Sequence, residues 1–194
     1  MKHIFTTLCF IMSVTLNAQT KYINPKTPAP ILADIEKVAA DYFNHFDGIK
    51  GEKISETPNI VEYASKINPV GALESTIMQI KSLDNCYSWE ALMLDTEKYE
   101  EAVSKYKLLY KQLLGAKINF DKGQSFRLTG TYDTPDESRS FASSIFGIET
   151  RSEELKRFKV EVALSYSMPE WSVKLYLYEK ENDEDIRPTV NNDY

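Results

Sequence analysis

Residues 158–177, FKVEVALSYSMPEWSVKLYL, constrain the fold more than any other part of the chain. Phe158, Val160, Val162 and Leu164 recur at every second position, and Trp171, Val173, Leu175 and Leu177 do the same beyond a Met-Pro-Glu break. A period of two sends alternate side chains to opposite faces of a strand, so each arm has one apolar and one polar face. Two such arms around a short break read as an antiparallel hairpin. Pro169 cannot take the positive φ of a primed two-residue turn, so the spacing predicts a four-residue loop over 168–171. In that register Leu164 lies opposite Leu175 and Val162 opposite Leu177. On the polar face Ala163 lies opposite Tyr176, Glu161 opposite Tyr178 and Ser165 opposite Lys174. Two outward tyrosines beside small residues form an aromatic shelf, because Tyr offers large contact area at little cost in side-chain freedom. Tyr176, Tyr178, Lys174 and Glu161 are therefore the candidate binding residues. Tyrosine also simply favours strands, which is the plainer explanation of the same pattern.

A second hairpin is expected where STIMQIKSL and CYSWEALML flank Asp84-Asn85, a pair that tolerates a tight turn. A two-residue loop there sets Ile80 opposite Trp89, Met78 opposite Ala91 and Thr76 opposite Met93, all on one face. Helical spacing of Ile31, Ile35, Val38, Tyr42 and Phe46 predicts a helix over 27–48, capped at Thr27 and stopped at Gly48. Tyr99, Val103, Tyr106, Tyr110 and Leu113 predict a second over 95–115, begun by Asp95 or Thr96. SFRLTGTYDTP reads as a strand. DESRSFASSIF reads as a short helix opened by Pro135, capped by Asp133 or Asp136, with Phe141 and Ile145 inward. Residues 49–73, broken by glycines and prolines, read as loop with one short strand near IVEY. The resulting expectation is an α+β two-layer sandwich, an antiparallel sheet of about five strands (two hairpins plus one strand) covered on one face by two to three helices.

The first eighteen residues read as a secretory signal: Lys2, an apolar stretch from Ile4 to Leu16, and a small Ala18 before the cut. The leader is similar in style to Sec signals of Gram-negative bacteria, which implies a periplasmic or secreted product. Cys9 lies inside the apolar stretch rather than after it, which argues against a lipoprotein signal. The organisation expected is a signal at 1–18, one α+β domain at 19–182 and a disordered acidic tail at 183–194. Removal of the leader from the 194 residues leaves 176, enough for a real core. The loss of Lys2 leaves 22 basic against 29 acidic residues, a net charge of −7, with no basic run. That balance argues against nucleic acid and anionic membrane as partners, and no later apolar run is long enough to span a bilayer.

Chemistry-bearing motifs are scarce. Cys86 stands alone after the leader, so no intramolecular disulfide can form. His45 is the one imidazole past the leader and falls near a helix end; nothing local supports a Cys86–His45 nucleophile and base. There is no CxxC, HExxH, EF-hand loop, phosphate-binding glycine motif or GxSxG elbow, so no metal and no cofactor is expected. The carboxylates of DTPDE and ENDED lack the spacing of a calcium loop. These features predict an exported protein that acts by binding a protein or envelope component. The rival readings are an acidic inhibitor or immunity-type protein that neutralises a basic partner, and a hydrolase whose carboxylates meet in space.

Overall fold

A computed structural model describes residues 30–81, 86–120 and 123–180. The leader, Thr27, the Asp84-Asn85 turn and the acidic tail lie outside the described residues. The elements run α1 (Pro30–Ala40), β1 (Lys50–Glu56), β2 (Ile60–Ser65), β3 (Glu74–Ile80), β4 (Cys86–Thr96), α2 (Tyr99–Leu113), β5 (Lys117–Asn119), β6 (Ser125–Gly130), β7 (Phe141–Ile148), α3 (Glu153–Arg157), β8 (Phe158–Ser167) and β9 (Glu170–Glu179). The nine strands form one antiparallel sheet in the order β1-β2-β3-β4-β9-β8-β7-β6-β5. The expectation of about five strands covered by helices is therefore wrong. The protein is mainly one large sheet, with helices of 11, 15 and 5 residues.

Three misreadings account for the difference. Residues 50–65, expected as loop with one short strand near IVEY, are a hairpin: IVEY lies in β2, and its partner β1 is polar, largely exposed and interrupted by register shifts. Such an edge strand carries no apolar alternation because it has no buried face to fill. Residues 141–148 are a strand rather than a helix: Ala142, Ser144, Phe146 and Ile148 point to the core. Phe141 and Ile145 share a face in either conformation, since four residues is both a helical turn and two strand periods. In the strand that face is the exposed one. The short β5 has no sequence signature of its own. Asp133 and Asp136 cap no helix; Asp133 takes two bonds from Arg139 (2.9 and 3.1 Å) and one from the Ser143 amide, and Asp136 holds the Ser138 amide.

One apolar core joins the helices to the sheet. Trp89 and Ala91 of β4, Val173, Leu175 and Leu177 of β9, and Val160, Val162 and Leu164 of β8 face it, and α2 lays Ala102, Tyr106, Leu109 and Leu113 over them. Burying one Trp ring the size of Trp89 is worth about 4–6 kcal/mol of transfer free energy before ordering costs. Two polar links cross the interior: the Tyr106 hydroxyl lies 2.6 Å from Ser144 Oγ, which accepts from the Asp133 amide, and Trp89 Nε1 donates to Ser65 Oγ at 3.0 Å.

Both hairpin registers differ from expectation, with opposite consequences. In the last hairpin Ser167 pairs with Glu170, so the loop is the two residues Met168 and Pro169, joined by a cis peptide as in type VI turns. Leu164 then meets Val173 and Glu161 meets Tyr176, a displacement of two residues that leaves every side chain on its expected face. In the β3–β4 hairpin Ile80 meets Cys86 and Ile77 meets Trp89, a displacement of three. An odd displacement turns the strand over. Ile77 enters the core and is 0 % exposed, while Ile80 is 42 % exposed and Met78 shares its face.

The register can be tested by two truncations. Ile77→Ala should cost about 2–4 kcal/mol in urea unfolding, whereas Ile80→Ala should cost less than about 1 kcal/mol. The reverse order would restore the sequence-based pairing.

Candidate functional site

Among the described residues, every helix turns an apolar stripe into the one core, and no helix packs on the opposite face of the sheet. The pairings define that bare face row by row. One row runs Glu62, Met78, Ser88, Tyr178, Lys159; the next runs Ala64, Thr76, Glu90, Tyr176, Glu161, Ile145; a third runs Glu74, Leu92, Lys174, Ala163, Ser143. Beyond the first row lies the Ile60–Ile80–Cys86 set, and beyond the third lies Phe141 opposite Ser165. Sheet pleat alone thus gathers apolar groups from five strands around two tyrosines. A groove of about 380 Å³ follows, with Met78, Ile80, Phe141, Ala163, Tyr176 and Tyr178 in its lining.

The four residues singled out in the sequence, Tyr176, Tyr178, Lys174 and Glu161, do share this face. Their neighbours differ: Glu161 is opposite Tyr176, Ala163 opposite Lys174 and Lys159 opposite Tyr178. The Tyr178 hydroxyl nonetheless reaches diagonally to Glu161 Oε2 at 2.7 Å, and Ser143 Oγ donates to the other carboxylate oxygen. Lys174 Nζ pairs with Glu90 Oε1 at 3.2 Å, and Ser165 and Ser172 hydroxyls lie 2.9 Å apart. The Tyr176 hydroxyl makes no hydrogen bond among the described residues. Burial first, and then the Glu90 and Glu161 charges, push the Tyr176 phenol above its ordinary value; burial and the hydrogen bond to Glu161 do the same for Tyr178. Both phenols are therefore neutral amphipathic rings with their bodies in the sheet.

Met78, Ile80, Phe141 and Ile145 were assigned to the core on sequence and stand here instead. The alternation of FASSIFGI could have revealed the second pair. The first pair carried a misleading signal, because Met78 and Ile80 make the more apolar face of β3, whereas the face that meets Trp89 offers Ser75, Ile77 and Gln79.

Cys86 lines the groove, whereas His45 stacks on Tyr87 at 4.9 Å from ring to ring. Cys86 and Tyr87 are neighbours in β4 and point to opposite faces, so the strand keeps the thiol and the imidazole apart. Among the described residues no three His, Cys, Asp or Glu side chains come together as a metal-binding group, and no helix is long and apolar enough to cross a membrane. No family model, curated protein or solved structure matches this chain.

Holding a phenol neutral in the fold gives stability that is complete below the ordinary tyrosine value of 10.0 and is lost as the pH climbs above it. Tyr176→Phe keeps the ring and removes a titrating group. Urea unfolding should show it within about 1 kcal/mol of the parent at neutral pH. Its alkaline decline should be shallower than the parent's.

Proposed function

We propose that this is an exported binding protein without catalytic chemistry of its own, whose partner, a protein or cell-envelope component, lies along the uncovered face of the sheet. One observation carries the reading: Met78, Ile80, Phe141 and Ile145 surround Tyr176 and Tyr178 on a face that no helix shields. Contiguous exposed apolar surface of this kind is costly in water and marks interaction sites. The tyrosines supply rigid contact area, and Glu161 in the groove's lining and Lys174 beside it on the same face supply polar points that fix a partner's orientation. The sequence supports export through its leader.

The rival readings draw less support. Both carboxylates that flank Tyr176 are already engaged, Glu161 by Ser143 and Tyr178 and Glu90 by Lys174, as befits structural rather than hydrolytic acids. Acid and base interleave around Glu56, which holds Lys53 and Lys81, so that part of the surface is not of a single sign.

The test is affinity capture from an envelope extract with the parent chain and a Tyr176→Ser/Tyr178→Ser variant, bound proteins and lipids being identified by mass spectrometry. At least one species should be retained by the parent and lost from the variant, with thermal unfolding still cooperative. Recovery of the same species by both chains would remove this face from consideration. Cell fractionation should find the product outside the cytoplasm and shortened by about eighteen residues.

A further inference from the structure

Sheet geometry fixes where the residues of the bare face stand relative to one another. Strands lie about 4.8 Å apart and successive rows about 6.6 Å apart, so β3, β4, β9, β8 and β7 together present a panel of about 24 by 30 Å. Its apolar groups are not spread evenly. Met78 and Ile80 of β3 occupy one corner, and Phe141 of β7 occupies the corner diagonally opposite. Tyr178, Tyr176 and Ala163 lie along the diagonal between them. The charges fall to either side of that line, with Glu74 and Lys174 on one side and Lys159 and Glu161 on the other. A second recess, an aromatic chamber of about 250 Å³ walled by Tyr42, Phe43, His45 and Tyr87, lies beneath the segment that joins α1 to β1 and takes no part in this panel.

This layout is complementary to itself. A two-fold axis along the Ile80–Phe141 diagonal sets the panel of a second copy face to face with the first. Ile80 then meets Ile80 of the second copy, Phe141 meets Phe141, and Ile145 meets Leu92 of the second copy. By the strand and row spacings, Lys174 falls within about 3 Å, measured across the panel, of Glu161 of the second copy, and Glu74 within about 5 Å of Lys159. Each contact between unlike residues occurs twice, as an isologous interface requires. The strands of the two sheets cross at about 70°, near the orthogonal class of sheet packing. The Glu74–Lys159 contact matters most. Within one chain Glu74 is exposed and makes no hydrogen bond or ion pair among the described residues, and Lys159 Nζ reaches only the Lys156 carbonyl. Each supplies the charge that the other lacks. The panel measures about 700 Å² per copy, so a pair covers about 1,400 Å², within the span of about 1,200–2,000 Å² that stable interfaces bury.

We propose that a second copy of this chain occupies the uncovered face, sheet against sheet, about a two-fold along the Ile80–Phe141 diagonal. The pairing rests on the reading of this face as a binding surface and supplies its occupant. It covers Ile80, Phe141 and Ile145, which are exposed in one chain and which no helix shields. The apolar corners and the tyrosines give the contact area, and the charges beside the diagonal fix the orientation.

Sedimentation equilibrium of the purified protein over about 1–100 μM tests it. The parent should be dimeric in the upper part of that range. Ile80→Ser/Phe141→Ser, at two exposed positions, should weaken the dimer about a hundredfold while thermal unfolding stays cooperative. Glu74→Lys or Lys159→Glu alone should weaken it about tenfold. The two together should restore it, because the exchanged charges meet across the two-fold. A parent that is monomeric throughout, a dimer that Ile80→Ser/Phe141→Ser leaves intact, or a double charge variant no stronger than the single ones would overturn the proposal. Capture from envelope extract separates this from the binding reading. A monomer that loses an envelope species on Tyr176→Ser/Tyr178→Ser keeps that reading and removes the second copy as occupant. A monomer that retains the same species with and without the tyrosines removes both.

Discussion

Ile77 lies opposite Trp89, and this pairing sorts the first half of the sheet into its two faces. Trp89 is the largest fully buried side chain and is anchored at its polar end by Ser65 of β2. That bond ties β2, β3 and β4 into one register, because Ser65, Ile77 and Trp89 must all face the core together. A strand has only two faces, so placing Ile77 inside places Met78 and Ile80 outside. The groove on the bare face is a consequence of how the core is packed rather than a separately built feature.

The helices set the second constraint. The sheet has nine strands, but its longest helix has 15 residues and crosses only its centre. Helical cover therefore goes to one side, and the other must be made tolerable in water by its own residues. Along the central strands β8 and β9 this is done with small residues, ion pairs and tyrosines: Ala163 and Ser165, Lys174 with Glu90, and Tyr178 with Glu161. Toward the flanks the compromise gives way to Ile60, Ile80, Phe141 and Ile145, all exposed. Apolar surface left open on a sheet this size is the feature that links the fold to binding.

The two recesses meet at the same strand ends. Tyr87 and Glu179 line both, since β4 begins beside the end of β9 and the groove and the aromatic chamber lie on either side of them. The chamber exists only because the chain after α1 stops being helical. Asp41 captures the Phe46 and Ile49 amides, which folds residues 41–49 back over β4 in place of a further helical turn. The apolar spacing of Tyr42 and Phe46 suits helix and folded-back loop alike, and both rings end buried.

Much of the fold was legible locally. Alternation in 158–177 identifies β8, β9 and the faces of their residues, which is why Glu161, Lys174, Tyr176 and Tyr178 share a surface as the sequence predicts. The stripe through Tyr99, Ala102, Tyr106, Leu109 and Leu113 identifies α2. In both cases the side chains that define the element are the ones that pack, so period and burial agree. The strand count, the β3 register and the conformation of 141–148 were not legible. An edge strand such as β1 is held by backbone hydrogen bonds that leave no trace in residue type, and in STIMQI the face that enters the core, Ser75, Ile77 and Gln79, is the less apolar of the two. Sequence alone determined which residues are oily and at what period. Tertiary structure decided which of them face the core, because that choice belongs to the partner strand and the covering helix, and neither is a property of the segment itself.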